Sequence, residues 1–164
     1  MILENKDWAT QLVQKSDEIL DKFESDTGLP TNILPGSKEE FQSYLSMDTT
    51  HLDKLDYKEC ANISYRLIQF SIYVQRCLNR EKAKSKILVK KINTMIASRI
   101  DEYRGSWDIQ RCAAIADNTA ATALSSELTE SEARQERLEF VASGFKNLAD
   151  QMKTIQFSKR DNNG

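Results

Sequence analysis

Residues 57–103 read YKECANISYRLIQFSIYVQRCLNREKAKSKILVKKINTMIASRIDEY, and they contain neither proline nor glycine. No residue in this run forces the backbone out of a helix. At 100° per residue, Leu67, Phe70, Val74, Cys77, Leu78, Leu88, Ile92, Met95, Ile96, Ile100 and Tyr103 fall within a sector of roughly 140°. The pattern predicts one long amphipathic helix over about 57–104. Tyr103-Arg-Gly-Ser ends it, with Gly105 at the left-handed cap position. Glu81 and Ser85 interrupt the apolar stripe. They either weaken a packing seam or mark a place where it meets water or a charged partner.

The opposite side of this helix is cationic. Residues 79–91, NREKAKSKILVKK, hold five lysines and one arginine against the single acid Glu81. The whole chain carries a net charge of -2, with 23 basic and 25 acidic side chains. By segment, residues 1–75 hold 7 basic and 13 acidic groups, 76–104 hold 9 and 3, and 105–164 hold 7 and 9. Arg76, Arg80, Lys84, Lys90 and Lys91 project to one side, with Lys82 and Lys86 on its flank. Such a stripe is the footprint of a polyanion site or a solvated helix face.

Working outward, residues 5–24 show helical spacing of Trp8, Leu12, Ile19 and Phe23. The run SDTGLPTNILPG holds both prolines of the chain and reads as a linker, so residues 1–36 form an N-terminal helix and connector. Ser37-Lys-Glu-Glu40, Asp56-Tyr-Lys-Glu59 and Thr129-Glu-Ser-Glu132 each have the spacing of a helix-capping box. A short helix through Phe41, Tyr44 and Leu45 follows the first, and residues 48–55 read as a turn. Trp107–Leu124 is alanine-rich and helical, with Ile109, Cys112, Ala113, Ala116, Ala120 and Leu124 apolar and a candidate break at Asn118-Thr119. A last helix over about 130–158 carries Leu138, Val141, Phe145, Leu148, Met152 and Ile155 at heptad spacing. The tail FSKRDNNG is expected to fray.

The fold class is therefore all-α: a long antiparallel helical hairpin within residues 37–164, plus an N-terminal helical segment. Two helices alone leave the Leu138–Ile155 seam poorly covered. Self-association is the usual remedy, so a homo-oligomer is expected, with a monomeric bundle closed by the N-terminal helices as the alternative.

Signals for enzyme chemistry are absent from the sequence. The lone histidine, His51, falls in an expected turn. No Cys/His pair has metal-ligand spacing, and no glycine-rich phosphate loop occurs. No catalytic residue, metal or cofactor is expected. Cys60, Cys77 and Cys112 are odd in number and widely spaced, as in reduced, cytoplasmic proteins. The opening MILENKDWAT lacks the character of a secretory leader, and the apolar runs are too short for a bilayer. No membrane partner is expected.

The stretch SRIDEYRGSW matches the pattern R-[LI]-D-x-Y-x-G through Arg99, Ile100, Asp101, Tyr103 and Gly105. It resembles a stretch of the UvsY-like recombination mediators of tailed phages. RLEFVASGFKNLADQMKTIQFSKR resembles their last helix, and the likeness spans roughly residues 60–160. Residues 1–55 lie outside it. The resemblance implies a small all-helical protein of the host-cell cytoplasm that binds single-stranded DNA, forms rings and loads a recombinase onto strands coated by single-strand-binding protein.

Charge placement supplies the phosphate contacts in that reading: Arg76, Arg80, Lys82, Lys84, Lys86, Lys90 and Lys91, joined by Arg99 from the matched motif. Arg104 and Trp107 at the helix end are candidates to stack on bases, while Tyr103 is in phase with the core. About five neutralised phosphates give a salt slope of about -3.5 on single strands. The acidic N-terminal segment competes for the basic stripe or docks a basic partner. A rival reading is a structural or adaptor protein, such as a phage virion or scaffold component, whose lysines serve solubility alone. A nucleic-acid-mimicking inhibitor fits poorly with a positive mid-chain face.

Overall fold

The structure, a computed structural model, describes residues 2–28 and 34–161, with side chains from Thr10 onward. The described residues form six α-helices and no strand: α1 (Ile2–Asp26), α2 (Lys38–Leu45), α3 (Thr49–Lys54), α4 (Tyr57–Ile96), α5 (Trp107–Ala116) and α6 (Thr119–Asp161). A 3-10 turn, Ile100–Glu102, lies between α4 and α5. The all-α class and the hairpin of two long helices are both present. The chain divides into two compact units, one of α1 with Leu78–Glu136, the other of residues 34–77 with 137–161. The N-terminal helix thus belongs with the middle of the chain, and α4 and α6 each contribute to both units.

In the first unit, Leu88, Ile92 and Ile96 of α4 pack with Ala114 and Ile115 of α5 and with Ala121, Leu124 and Leu128 of α6. Leu88, Ile92 and Ile96 are at most 2% exposed. Each such burial stabilises the unit by about 1.5–3 kcal/mol. Leu12 and Val13 of α1 close one side of this cluster. Ile19 and Phe23, expected on the same packing face, point instead to solvent, and Trp8 lies outside the described side chains.

α4 ends at Ile96, earlier than Gly105 suggested. Asp101 and Glu102 bring negative charge to a helix C-terminus, where the dipole disfavours it. The backbone tightens into the 3-10 turn, and Ile100 and Tyr103 fold back onto the core cluster. The Tyr103 hydroxyl donates to Asp117 Oδ2 at 2.6 Å, and Gln110 Nε2 donates to the Tyr103 carbonyl at 2.7 Å. Gly105 completes the corner at φ 120°, where a Cβ would lie 3.1 Å from Ile109 Cγ2. The matched motif around Arg99–Gly105 is therefore a packed corner.

The alanine-rich stretch breaks at Asp117-Asn118, one residue before the expected Asn118-Thr119, and Thr119 is already helical. Asn118 Oδ1 accepts from the amides of Ala120 and Ala121 and starts α6 there, eleven residues before the expected position 130. Thr129 is interior to that helix, its hydroxyl donating to the Ser125 carbonyl, so the third capping box is not a cap. In α5, Ala114 and Ile115 are buried while Ile109 and Cys112 are exposed, a different face from the expected one.

The second unit is held by an aromatic cluster. Phe41 of α2 stacks on Phe70 of α4 with centroids 3.8 Å apart, and Phe145 of α6 meets Phe70 edge-on at 4.5 Å. Of the heptad seam, Phe145 and Met152 are buried in this core and Val141, Leu148 and Ile155 pack against it; Leu138 is half-buried beyond it. α2 and α3 supply Phe41, Tyr44 and Leu52 to the same core, so the seam is covered from within the chain. Ser64 and Ser71 donate to the carbonyls of Ala149 and Ala142, which registers α4 antiparallel to α6.

Local capping explains the short elements. Ser37 Oγ accepts from the Glu40 amide. Asp56 and Glu59 form a reciprocal box, each carboxylate accepting the other's amide at 2.7 Å. The expected turn at 48–55 is helix α3, because Asp48 accepts from the His51 amide at 2.8 Å. Its carbonyl end is closed by Lys159, whose ammonium donates to the carbonyls of Leu52, Asp53 and Leu55. The tail therefore stays helical to Asp161.

Candidate nucleic-acid interface

The single cationic stripe of the sequence separates into two rows on α4. Helical geometry sets Lys82, Lys86 and Lys90 one above another at i, i+4 and i+8, about 6 Å apart along the axis. All three are exposed and line an open groove of about 760 Å³ with Val89, Asn93, Ala97 and Gln135. Lys86 and Lys90 form no ion pair with a described residue. Apolar Val89 and Ala97 beside ammonium groups and two side-chain amides make a surface suited to a chain of anions joined by less polar groups.

The groove continues into a cation–aromatic pair. Arg111 Nε donates to Asn93 Oδ1 at 3.3 Å, and the Arg111 guanidinium sits over the Trp107 ring at 5.8 Å. Trp107 itself is 59% exposed, so its ring is open to a stacking partner. Arg104, nearby in sequence, is exposed too. Sequence reasoning missed Arg111, Asn93 and Gln135. The i, i+4 spacing of Trp107 and Arg111 on α5 was the available signal for the first.

The second row faces α1. Arg80 lies 2.7 Å from Asp21, 3.1 Å from Glu24 and 3.8 Å from Asp17, while Lys84 lies 3.2 Å from Asp17 and 3.5 Å from Glu81. Arg80 is largely covered, and burial lowers its affinity for the proton; the Asp21, Glu24 and Asp17 carboxylates more than offset this. Lys84 is buried. These two candidates are engaged by the protein's own carboxylates. Lys91 is half-buried, Arg99 pairs with Glu102 at 3.4 Å, and Arg76 is exposed but belongs to the second unit. Lys82, Lys86, Lys90 and Trp107 thus share the first unit.

Beneath the groove, the polar break in the apolar stripe is a complete hydrogen-bond chain. Gln135 Nε2 donates to Ser85 Oγ, Ser85 donates to Ser131 Oγ at 3.0 Å, and Ser131 donates to Glu81 Oε2 at 2.8 Å. Arg134 adds a contact to the same oxygen at 3.2 Å. Burial pushes the Glu81 carboxyl up, but the Ser131 hydroxyl, Lys84 and Arg134 outweigh it and hold the group below its usual range. Glu81 keeps part of its surface in solvent and Ser85 reaches the groove lining, but both are tied into the protein. They join α4 to α6 under the lysine row.

Among the described residues no cluster of His, Cys, Asp or Glu is arranged to hold a metal. No described helix is long and apolar enough to cross a membrane. The three cysteines are free thiols. Comparison with protein-family models, with curated proteins and with solved structures found no match.

Proposed function

We propose that this chain binds single-stranded DNA without reading its sequence and acts as a recombination mediator, helping to load a recombinase onto strands coated by single-strand-binding protein. The observation that carries the DNA-binding part is the groove: Lys82, Lys86 and Lys90 in one row, ending at the Arg111–Trp107 pair. Ammonium groups along a groove track phosphates, and an open indole stacks on an unpaired base of any kind. The two side-chain amides of the groove are engaged within the protein, Asn93 Oδ1 by Arg111 and Gln135 Nε2 by Ser85 and the Glu81 carbonyl, so neither offers a base a free donor–acceptor pair. With Lys86, Lys90 and Arg111 each meeting a phosphate, the salt slope on a single strand is about -2.1. This is shallower than the sequence alone suggested, because Arg80 and Lys84 are already paired.

The mediator role is supported by the likeness of SRIDEYRG and of the last helix to the UvsY-like family. A homo-oligomer belongs to the same reading: several grooves on one strand raise affinity through effective concentration. The test is fluorescence anisotropy with a labelled single-stranded oligonucleotide. Lys86→Glu with Lys90→Glu should weaken binding at least about tenfold, and Trp107→Ala should cost about 1–3 kcal/mol in the stacking term. Binding unchanged in the double variant would refute the groove as the site and leave an architectural role for the helices.

A further inference from the structure

The acidic edge of α1 has the chemistry of a bound strand. Asp17, Asp21 and Glu24 stand at i, i+4 and i+7, and all three carboxylates converge on Arg80, with Asp17 also reaching Lys84. The apolar attachment of α1 comes from elsewhere on the helix. Leu12 and Val13 pack on the core cluster, whereas Ile19 and Phe23, in the same segment as the carboxylates, are 59% and 57% exposed. The carboxylate-bearing half is therefore held by ion pairs together with half-buried Leu20. Asp21 keeps 66% of its side chain in solvent, so part of that attraction is screened by salt and open to competition.

We propose that α1 is a displaceable anionic arm: its Asp17–Asp21–Glu24 edge occupies Arg80 and Lys84, a second cation row that takes the phosphates of the same single strand once the arm is moved aside. The inference rests on the nucleic-acid reading of the Lys82 row. With the arm in place a strand meets the groove alone. With the arm displaced it gains two further cations on the same helix. The exchange replaces carboxylates by phosphates on Arg80 and Lys84, so neither cation is left unpaired in the open state. Glu81 stays beside Lys84 in both states, tied to Ser131 and Arg134.

The test uses the full chain with Asp17→Asn, Asp21→Asn and Glu24→Gln combined. This variant should bind a labelled single-stranded oligonucleotide more tightly, with a slope steeper by about 1.4 for two added phosphate contacts. Its advantage should then shrink about sevenfold between 50 and 200 mM salt, by the same relation. Arg80→Gln with Lys84→Gln should leave the wild-type affinity within about twofold, yet erase the gain of the neutralised arm. Loss of affinity on Arg80→Gln/Lys84→Gln with the arm intact would overturn the proposal, as would a neutralised arm that binds no more tightly. If the neutralised arm gives no gain while Lys86→Glu/Lys90→Glu still abolishes binding, the arm falls and the groove stands. If Lys86→Glu/Lys90→Glu binds normally, the groove reading falls and the arm with it. Should the neutralised variant lose helix by circular dichroism, hydrogen exchange of the wild type decides: amides of residues 17–26 should exchange faster when oligonucleotide is added, and unchanged or slower exchange overturns the arm.

Discussion

Replacing Glu40 by Gln tests how α2 is fastened to α4 in the second unit. Glu40 receives Arg66 through two bonds, Nε to Oε1 at 2.9 Å and Nη2 to Oε2 at 2.8 Å, and the Tyr44 hydroxyl donates to Oε1 at 2.9 Å. The Arg66 guanidinium, and after it the Tyr44 hydroxyl, hold the Glu40 carboxyl down at about 2, against 4.5 for an ordinary glutamate. A depression of that size sets a ceiling of roughly 3.4 kcal/mol on the stabilisation it reports. Both side chains keep 27% of their surface in solvent, which screens the pair. We therefore expect Glu40→Gln to cost about 1–2 kcal/mol at pH 7. Because the folded value is the lower one, the stabilisation is fully present above about pH 4.5 and fades as pH falls toward 2. Urea denaturation of both proteins at several pH values between 7 and 2.5 reads the difference. The two curves should converge as acid is added. A gap that stays constant down to pH 2.5 would refute the pairing.

Two glycines should respond in opposite directions. Gly105→Ala meets both a φ of 120° and Ile109 at 3.1 Å, and should destabilise by about 1–3 kcal/mol in thermal or urea unfolding. Gly144 sits inside α6, where an added Cβ would meet nothing within 4 Å, so Gly144→Ala should stabilise by up to about 1 kcal/mol in the same assay. Ser131→Ala removes a fully buried hydroxyl that links Ser85 to the Glu81 carboxylate. It should cost about 2 kcal/mol and raise the Glu81 pKa, read by carboxyl chemical shifts during an NMR titration.

Local signals were the legible ones. The absence of proline and glycine across 57–103 and its apolar stripe marked the long helix, and the Ser37 and Asp56 boxes marked real starts. The Thr129 box misled because a threonine inside a helix returns its hydroxyl to the carbonyl four residues back, and its sequence spacing is the same in either setting. The end of α4 depended on Ile100 and Tyr103 finding the core, which no local pattern contains. At the candidate site the charge was visible and its occupancy was not. Arg80 is paired with residues 56 and 59 positions earlier in the chain, so only the packing of α1 separates the covered row from the open one. Glu81 and Ser85 stood out as polar positions in an apolar stripe, but their partners Ser131 and Gln135 lie on another helix.

The most direct test of the central claim is the affinity of the purified protein for a labelled single-stranded oligonucleotide, measured from 50 to 200 mM salt. Three phosphate contacts, from Lys86, Lys90 and Arg111, predict a roughly 20-fold loss of affinity over that range, and weaker binding to a duplex of the same sequence. No binding at 50 mM salt, or binding that salt leaves unchanged, would contradict it.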